Sequence, residues 1–171
     1  MGLLEGKVAL VTGAANGIGR GIALQFAAQG AAVGILDRDE DGARCVAASL
    51  SARGRRSLAL PADVSRADAV RNSVRRLVTE LGPPAILVHA AGIMPTGTLE
   101  ETSEEDWDRV YAVNAKGAFL TCREVLPLMR EAGGGSIVLM ASITGVSGLP
   151  GLAAYSGTKG ALIALARALA I

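Results

Sequence analysis

Tyr155 and Lys159 stand four residues apart in a stretch built mainly of Ala, Gly, Leu and Ile. On a helix, positions i and i+4 share a face, so the phenol and the ammonium point the same way. A free phenol ionises near pH ~10, and a cation beside it favours the phenolate. Such a pair can hand a proton to a carbonyl oxygen or take one from an alcohol. General acid–base catalysis of that kind contributes roughly 10²–10⁴-fold. The competing reading is a plain helix-face aromatic beside an incidental lysine.

A second stretch is Thr12-Gly13-Ala14-Ala15-Asn16-Gly17-Ile18-Gly19. It leaves an apolar run and opens a helical pattern. Its glycines form GxxxGxG rather than GxGxxG. Glycine there permits a tight turn and lets a pyrophosphate approach the free N–H groups of the helix. No Gly-Lys-Ser/Thr follows, which excludes a P-loop. A purely structural glycine turn is the alternative, and Asp37 weighs against it. Asp37 closes the next apolar run, near the ~20-residue spacing of a ribose-binding carboxylate. A 2′-phosphate placed there would meet a like charge, a repulsion of up to ~4 kcal/mol at about 4 Å and an effective dielectric near 20. The expected cofactor is therefore NAD ahead of NADP, although Arg38 could pair with a phosphate and soften the preference. Asp37-Arg38-Asp39-Glu40 could also be a solvated turn; Asp39 is the better helix cap, which leaves Asp37 free. Asp63, followed by Val64, could bond an adenine edge or serve as a turn residue.

These residues need elements to hold them. Continuous apolar runs at 7–11, 31–36, 57–60, 85–88 and 136–140 predict short strands covered on both faces, as in a parallel sheet. Helical patterns alternate with them at 18–29, 39–52 and 65–81, the last with Ser65 and Asp68 at capping-box spacing and Gly82-Pro83 as its stop. Ser103 and Asp106 repeat that cap before a helix expected to break near Lys116-Gly117 and to resume to about residue 131. Pro127 should kink the second part or mark its last turns. Gly133-Gly134-Gly135 predicts the turn into the fifth strand, and a last helix starts near Leu152. The strict alternation predicts a doubly wound α/β sheet, read as one domain over residues 1–171.

Composition agrees. The chain has 171 residues, half of them hydrophobic but only 3% aromatic, so its core must be Val, Ile, Leu and Ala. Seventeen basic against sixteen acidic residues leave a net charge of +1, with no basic excess to support nucleic-acid binding. No apolar run approaches the ~18 residues of a membrane span. The start of the chain does not read as a signal peptide. Cys45 and Cys122 fit no metal or redox spacing, so no metal is expected. A cytoplasmic protein is the resulting expectation.

Taken in order, Thr12-Gly13-x-x-x-Gly17-Ile18-Gly19, Asp63-Val64, Ala91-Gly92, Asn114, Ser142 and Tyr155-x-x-x-Lys159 resemble the short-chain dehydrogenase/reductases. The likeness runs from residue 7 to 171. It implies a Rossmann-type sheet of order 3-2-1-4-5, a nicotinamide cofactor, and oxidation or reduction of a small alcohol/carbonyl substrate. It implies cofactor contacts from Gly13, Asn16, Gly17, Ile18, Gly19, Asp37, Asp63, Val64, Ala91, Gly92, Asn114, Tyr155 and Lys159. Catalysis is implied for Asn114, Ser142, Tyr155 and Lys159. Tyr155 would be the acid/base, Ser142 would bind the substrate oxygen, Lys159 would reach the nicotinamide ribose, and Asn114 would hold a relay water. Apolar Ile93, Met94, Ile143, Val146 and Leu152, with Thr144, would line the substrate side. Related proteins associate through the helices around 103–131 and from 152 onward, which implies a homodimer or homotetramer. Two departures stand out. The family's Asn-Asn-Ala-Gly is here His89-Ala90-Ala91-Gly92, with His89 expected to do an amide's structural work rather than act as a base. The family also continues past the Tyr/Lys helix with two more strands and a flap. The sequence therefore reads as truncated or incomplete, with weak or no catalysis by this chain alone and with strand five as an uncovered edge.

Overall fold

The computed structural model describes residues 2–170. Five parallel strands, β1 (Val8–Thr12), β2 (Ala32–Asp37), β3 (Ser57–Pro61), β4 (Ile86–His89) and β5 (Ser136–Leu139), form one sheet. Their order is β3-β2-β1-β4-β5, as the sequence predicts. The chain runs outward from β1 to β3, then crosses back so that β4 pairs with the other side of β1. At that reversal β1 and β4 lie side by side up to Thr12 and His89, and open α/β sheets bind ligands just beyond the C-terminal ends of the strands at such a point.

Helices cover both faces. Helix α1 (Gly17–Ala28) and α2 (Glu40–Ser51) supply Ala23, Ala27, Ala43, Val46 and Leu50 to one core, against Val11, Val33, Ile35 and Val88 of the sheet. Helix α3 (Ala67–Glu80) and α5 (Gly117–Glu131) build the other, where Val70, Val74, Leu77, Leu120 and Val125 meet Leu10, Leu36, Leu60 and Leu87. Successive strand residues point to opposite faces, so Leu10 and Val11 serve different cores. Each fully buried Val or Leu contributes roughly 1.5–3 kcal/mol. Gly34 lies under the second core because Leu77 packs onto its backbone; an added Cβ would stand 2.5 Å from Leu77 Cδ1.

Continuous burial holds for β1 and most of β2. It fails for β3 and β5, which alternate between more and less covered positions. These two are the edges of the sheet, so the expectation of strands covered on both faces is corrected there. The expected cap of α3 is also corrected. The N-cap is Arg66, with no side-chain bond, because Ser65 donates its hydroxyl to Asp63 Oδ1 at 2.8 Å instead. A short local turn thus wins over the capping box. The second cap forms: Ser103 Oγ accepts the Asp106 N–H at 3.0 Å and starts α4 (Glu104–Tyr111). No break separates α4 from α5. A π-helical turn, Ala112–Lys116, joins them, and α5 runs through Pro127 into its last turn. Gly133 and Gly134, at φ +85° and +131°, make the turn into β5. The short helix α6 (Thr144–Ser147) was not anticipated and precedes α7 (Ala153–Leu169).

Candidate functional site

The sheet reversal opens a crevice of about 290 Å³. Ten of the thirteen residues expected to contact a cofactor line it: Gly13, Asn16, Gly17, Ile18, Gly19, Asp37, Asp63, Val64, Ala91 and Gly92; Asn114, Tyr155 and Lys159 are not part of this lining. Arg38, Ala62, Ala90, Ile93 and Val113 complete the wall. The turn after β1 favours glycine. Gly13 and Gly17 take φ +64° and +53°, a region costly for residues with a Cβ. Gly19 lets α1 sit on that turn, since a Cβ there would be 2.1 Å from the Gly13 carbonyl oxygen. Asn16, the N-cap of α1, makes no side-chain cap bond, and no acidic residue occupies the first turn. The first N–H groups of a helix lack intrahelical partners and favour anions. The bare glycine cradle and these donors fit a pyrophosphate.

Asp39 caps α2 by accepting the Gly42 N–H at 3.0 Å, as expected. Asp37 is not free, which corrects the expectation. Its Oδ2 accepts the Ala15 N–H at 2.9 Å and its Oδ1 the Asp39 N–H at 3.0 Å. The carboxylate therefore braces the glycine turn against the end of β2. Each oxygen keeps further acceptor capacity. Asp63 is similar: Oδ1 takes the N–H and O–H of Ser65 at 2.9 and 2.8 Å.

The remaining predicted residues gather at the Gly92 end. A Cβ built on Gly92 would stand 3.4 Å from Asn114 Oδ1 and 3.7 Å from Lys159 Nζ. Lys159 is only 5% exposed. Its Nζ donates to the Met140 carbonyl and lies 5.4 Å from the centre of the Tyr155 ring. Burial lowers the ammonium's pKa below its ordinary value. Ser142, two residues beyond Met140, sits on the loop that α6 packs against α7; a Cβ on Gly145 would be 2.6 Å from the Lys159 carbonyl carbon. Ser142 Oγ accepts both the Thr144 N–H at 3.2 Å and the Thr144 hydroxyl at 3.1 Å. With both lone pairs engaged, the Ser142 hydroxyl has only its proton left to give. Thr144 is buried beneath Ser142, so it does not line the substrate side as expected. Met94, Ile143 and Val146 are exposed.

Asn114 is fully buried on the π-helical turn. Its Oδ1 accepts the Ile93 N–H at 2.8 Å, and its Nδ2 donates to the Ile93 carbonyl at 3.0 Å and to Thr158 Oγ1 at 3.1 Å. Its side chain is therefore a brace between the β4 loop and α7. Thr158 completes that brace by donating to the Tyr155 carbonyl at 2.7 Å. Sequence reasoning missed Thr158, and a lone threonine between the tyrosine and the lysine was the available signal. His89 is completely buried, with Nδ1 3.2 Å from both Thr12 Oγ1 and Thr121 Oγ1. Burial, with a smaller push from the Lys159 charge, lowers its pKa to about 3, so the ring is neutral. Among the described residues, no helix is long and apolar enough to cross a membrane.

A parallel sheet reversed at β1 and β4, with a glycine turn and an acidic residue closing β2, defines a Rossmann-type α/β protein. A family profile described as short chain dehydrogenase matches residues 7–171, and the chain belongs to that family. It is 41% identical over 167 residues to an uncharacterized oxidoreductase of Thermotoga maritima, covering 98% of this chain and 66% of the relative. It is 40% identical over 167 residues to the D-threitol dehydrogenase of Mycolicibacterium smegmatis, covering 98% and 64%. The 3-oxoacyl-[acyl-carrier-protein] reductase of Staphylococcus epidermidis is 38% identical over 162 residues, covering 94% and 66%. The chain thus spans about two thirds of the length of the curated relatives it matches.

Proposed function

We propose that the protein is an oxidoreductase that interconverts an alcohol and a carbonyl with a nicotinamide dinucleotide, NAD ahead of NADP. The observation that carries this reading is the buried Lys159 ammonium, set beside Gly92 at the crevice and against the Tyr155 ring. The glycine turn and the first turn of α1 would hold the pyrophosphate, and Asp37 the adenosine ribose. The carboxylate of Asp37 disfavours a 2′-phosphate by like-charge repulsion. When bound, the nicotinamide supplies hydride exchange with the substrate carbon.

The side chains supply the protons and the polarity. Tyr155 gives a proton to the carbonyl oxygen in reduction and takes one from the hydroxyl in oxidation. The Ser142 hydroxyl, left with only a donor by Thr144, steadies the oxygen on which charge develops. Lys159 places a cation against the phenol. Asn114 and Thr158 fix α7 to the β4 loop, so that these groups do not drift from the crevice. The relatives differ in what their names say they act on, D-threitol in one and a 3-oxoacyl-[acyl-carrier-protein] in another. The exposed apolar side chains of Met94, after β4, and of Ile143 and Val146, after β5, support a small or medium hydrophobic substrate for this protein.

The test is Tyr155→Phe, followed by nicotinamide absorbance and by NADH binding. Turnover is expected to fall roughly 10²–10⁴-fold, far more than any loss of NADH affinity from the missing hydroxyl contact. Undiminished turnover in Tyr155→Phe refutes the assigned acid/base. Firm NADH binding by a wild-type protein that turns over no alcohol or carbonyl favours a role in binding alone.

A further inference from the structure

The β1–β4 ladder ends on the pair Thr12 opposite His89, and both residues are completely buried. The Thr12 hydroxyl oxygen accepts the N–H groups of Ala90 and Ala91, each at 3.1 Å. A hydroxyl has two lone pairs and one proton, so Thr12 has only the proton left to place. Its remaining partner is His89 Nδ1 at 3.2 Å. Thr121 Oγ1 lies equally close to Nδ1, but the Thr121 proton has the Gly117 and Ala118 carbonyls, each at 3.0 Å. If Nδ1 carried the ring proton, it would donate to Thr121. The Thr12 proton and the Nε2 lone pair would then both be buried without partners. If Nε2 carries the proton, that N–H alone lacks one. Buried unpaired polar groups are costly, so the second tautomer prevails.

We propose that His89 is a positioning residue for the crevice: held as the Nε2–H tautomer, it takes the Thr12 proton on Nδ1 and thereby orients Thr12 to grip the Ala90 and Ala91 amides. Its bearing on ligand affinity rests on the crevice being a dinucleotide site. Ala90, Ala91 and Gly92 form one wall of that crevice. The backbone of Gly13 packs on that wall so closely that an added Cβ would stand 2.8 Å from Ala91 N. The two amides therefore set the spacing between the wall and the glycine turn. His89 lines none of the crevice itself and acts only through Thr12. An asparagine, whose amide oxygen can accept a proton at the position of Nδ1, could do the same work.

The first measurement is the ring nitrogen spectrum of ¹⁵N-histidine-labelled protein, unambiguous because the chain has one histidine. A protonated Nε2 and a bare, hydrogen-bonded Nδ1 are expected at neutral pH; a protonated Nδ1 overturns the proposal. The second is amide exchange at Ala90 and Ala91, read beside NADH binding, in His89→Leu, His89→Asn and Thr12→Val. His89→Leu and Thr12→Val should speed both amides ~10-fold or more and weaken NADH. His89→Asn should restore wild-type exchange and affinity. A volume-filling role would instead be satisfied by leucine, so wild-type exchange in His89→Leu refutes the strap. Should His89→Leu fail to fold, Thr12→Val with wild-type exchange refutes it equally. If exchange and tautomer come out as expected while wild-type protein binds no nicotinamide dinucleotide, the strap stands and the dinucleotide reading fails.

Discussion

His89 shows how one residue can set a property of the whole fold. Its folded-state pKa is held down at about 3 by burial and by Lys159, against an unfolded value near ~6.5. As pH falls below that unfolded value, the unfolded chain gains a proton that the folded one refuses. Stability is therefore complete above pH ~6.5 and declines by ~1.4 kcal/mol per pH unit toward pH ~3. Urea unfolding between pH 7 and 4.5 should show that slope on top of the carboxylate contribution, and His89→Asn should remove it. An equal slope in both proteins would refute the assignment. Gly19 makes the second residue-scale prediction. A Cβ there would stand 2.1 Å from the Gly13 carbonyl oxygen, so Gly19→Ala must push α1 off the glycine turn. NADH affinity should fall by at least ~10-fold, about 1.4 kcal/mol, in a fluorescence titration. Both residues were visible in the sequence, Gly19 as part of a motif and His89 as a departure from one. The double duty of Asp37 was not visible, because Ala15 reaches it only across the sheet.

At the scale of elements, what the sequence encodes locally was legible. Unbroken apolar runs marked all five strands, and Ser103 three residues before Asp106 marked the start of α4. What depends on competition between neighbours was not. Ser65 carries the same cap spacing as Ser103, but Asp63 captures its hydroxyl, and α3 starts uncapped at Arg66. The π-helical turn was illegible for a related reason. Asn114 must face Ile93 and Thr158 together, and that demand comes from the tertiary fold. The uncapped α3 yields a prediction. Arg66 has the extended backbone of an N-cap, with φ −106° and ψ 115°, and its ion pair to Asp68 is exposed. Exposed pairs of that kind are worth ~0–1 kcal/mol, whereas a capping side chain supplies ~0.5–2 kcal/mol. Arg66→Asp should therefore raise the urea midpoint, with Ser103→Ala lowering it as the control. A lower midpoint in Arg66→Asp would show that the arginine contributes more than its contacts indicate.

At the scale of the molecule, two surfaces offer association, and they differ in geometry. Trp107 on α4 and Phe119 on α5 are 38% and 48% exposed, and a closed dimer built on such residues would use the same surface of both copies. β5 is different. Among the described residues it has one strand neighbour, β4, and Val138 on it is 43% exposed. Beside it runs an apolar groove of about 370 Å³ between α5, β5 and α7, lined in part by Met129, Ile137, Leu139 and Leu169. An unpaired apolar edge recruits further strands, and a charge on it blocks that pairing. If strands add at this edge, wild-type protein should form large, concentration-dependent species in sedimentation velocity, and Val138→Lys should suppress them and leave any closed dimer intact. Phe119→Lys should do the reverse. Because Val138 contacts solvent, its replacement should leave the melting temperature nearly unchanged, which separates a surface effect from unfolding. Large species that persist in Val138→Lys would place association on the helical face, and the edge strand would then be sufficiently guarded by its shortness alone.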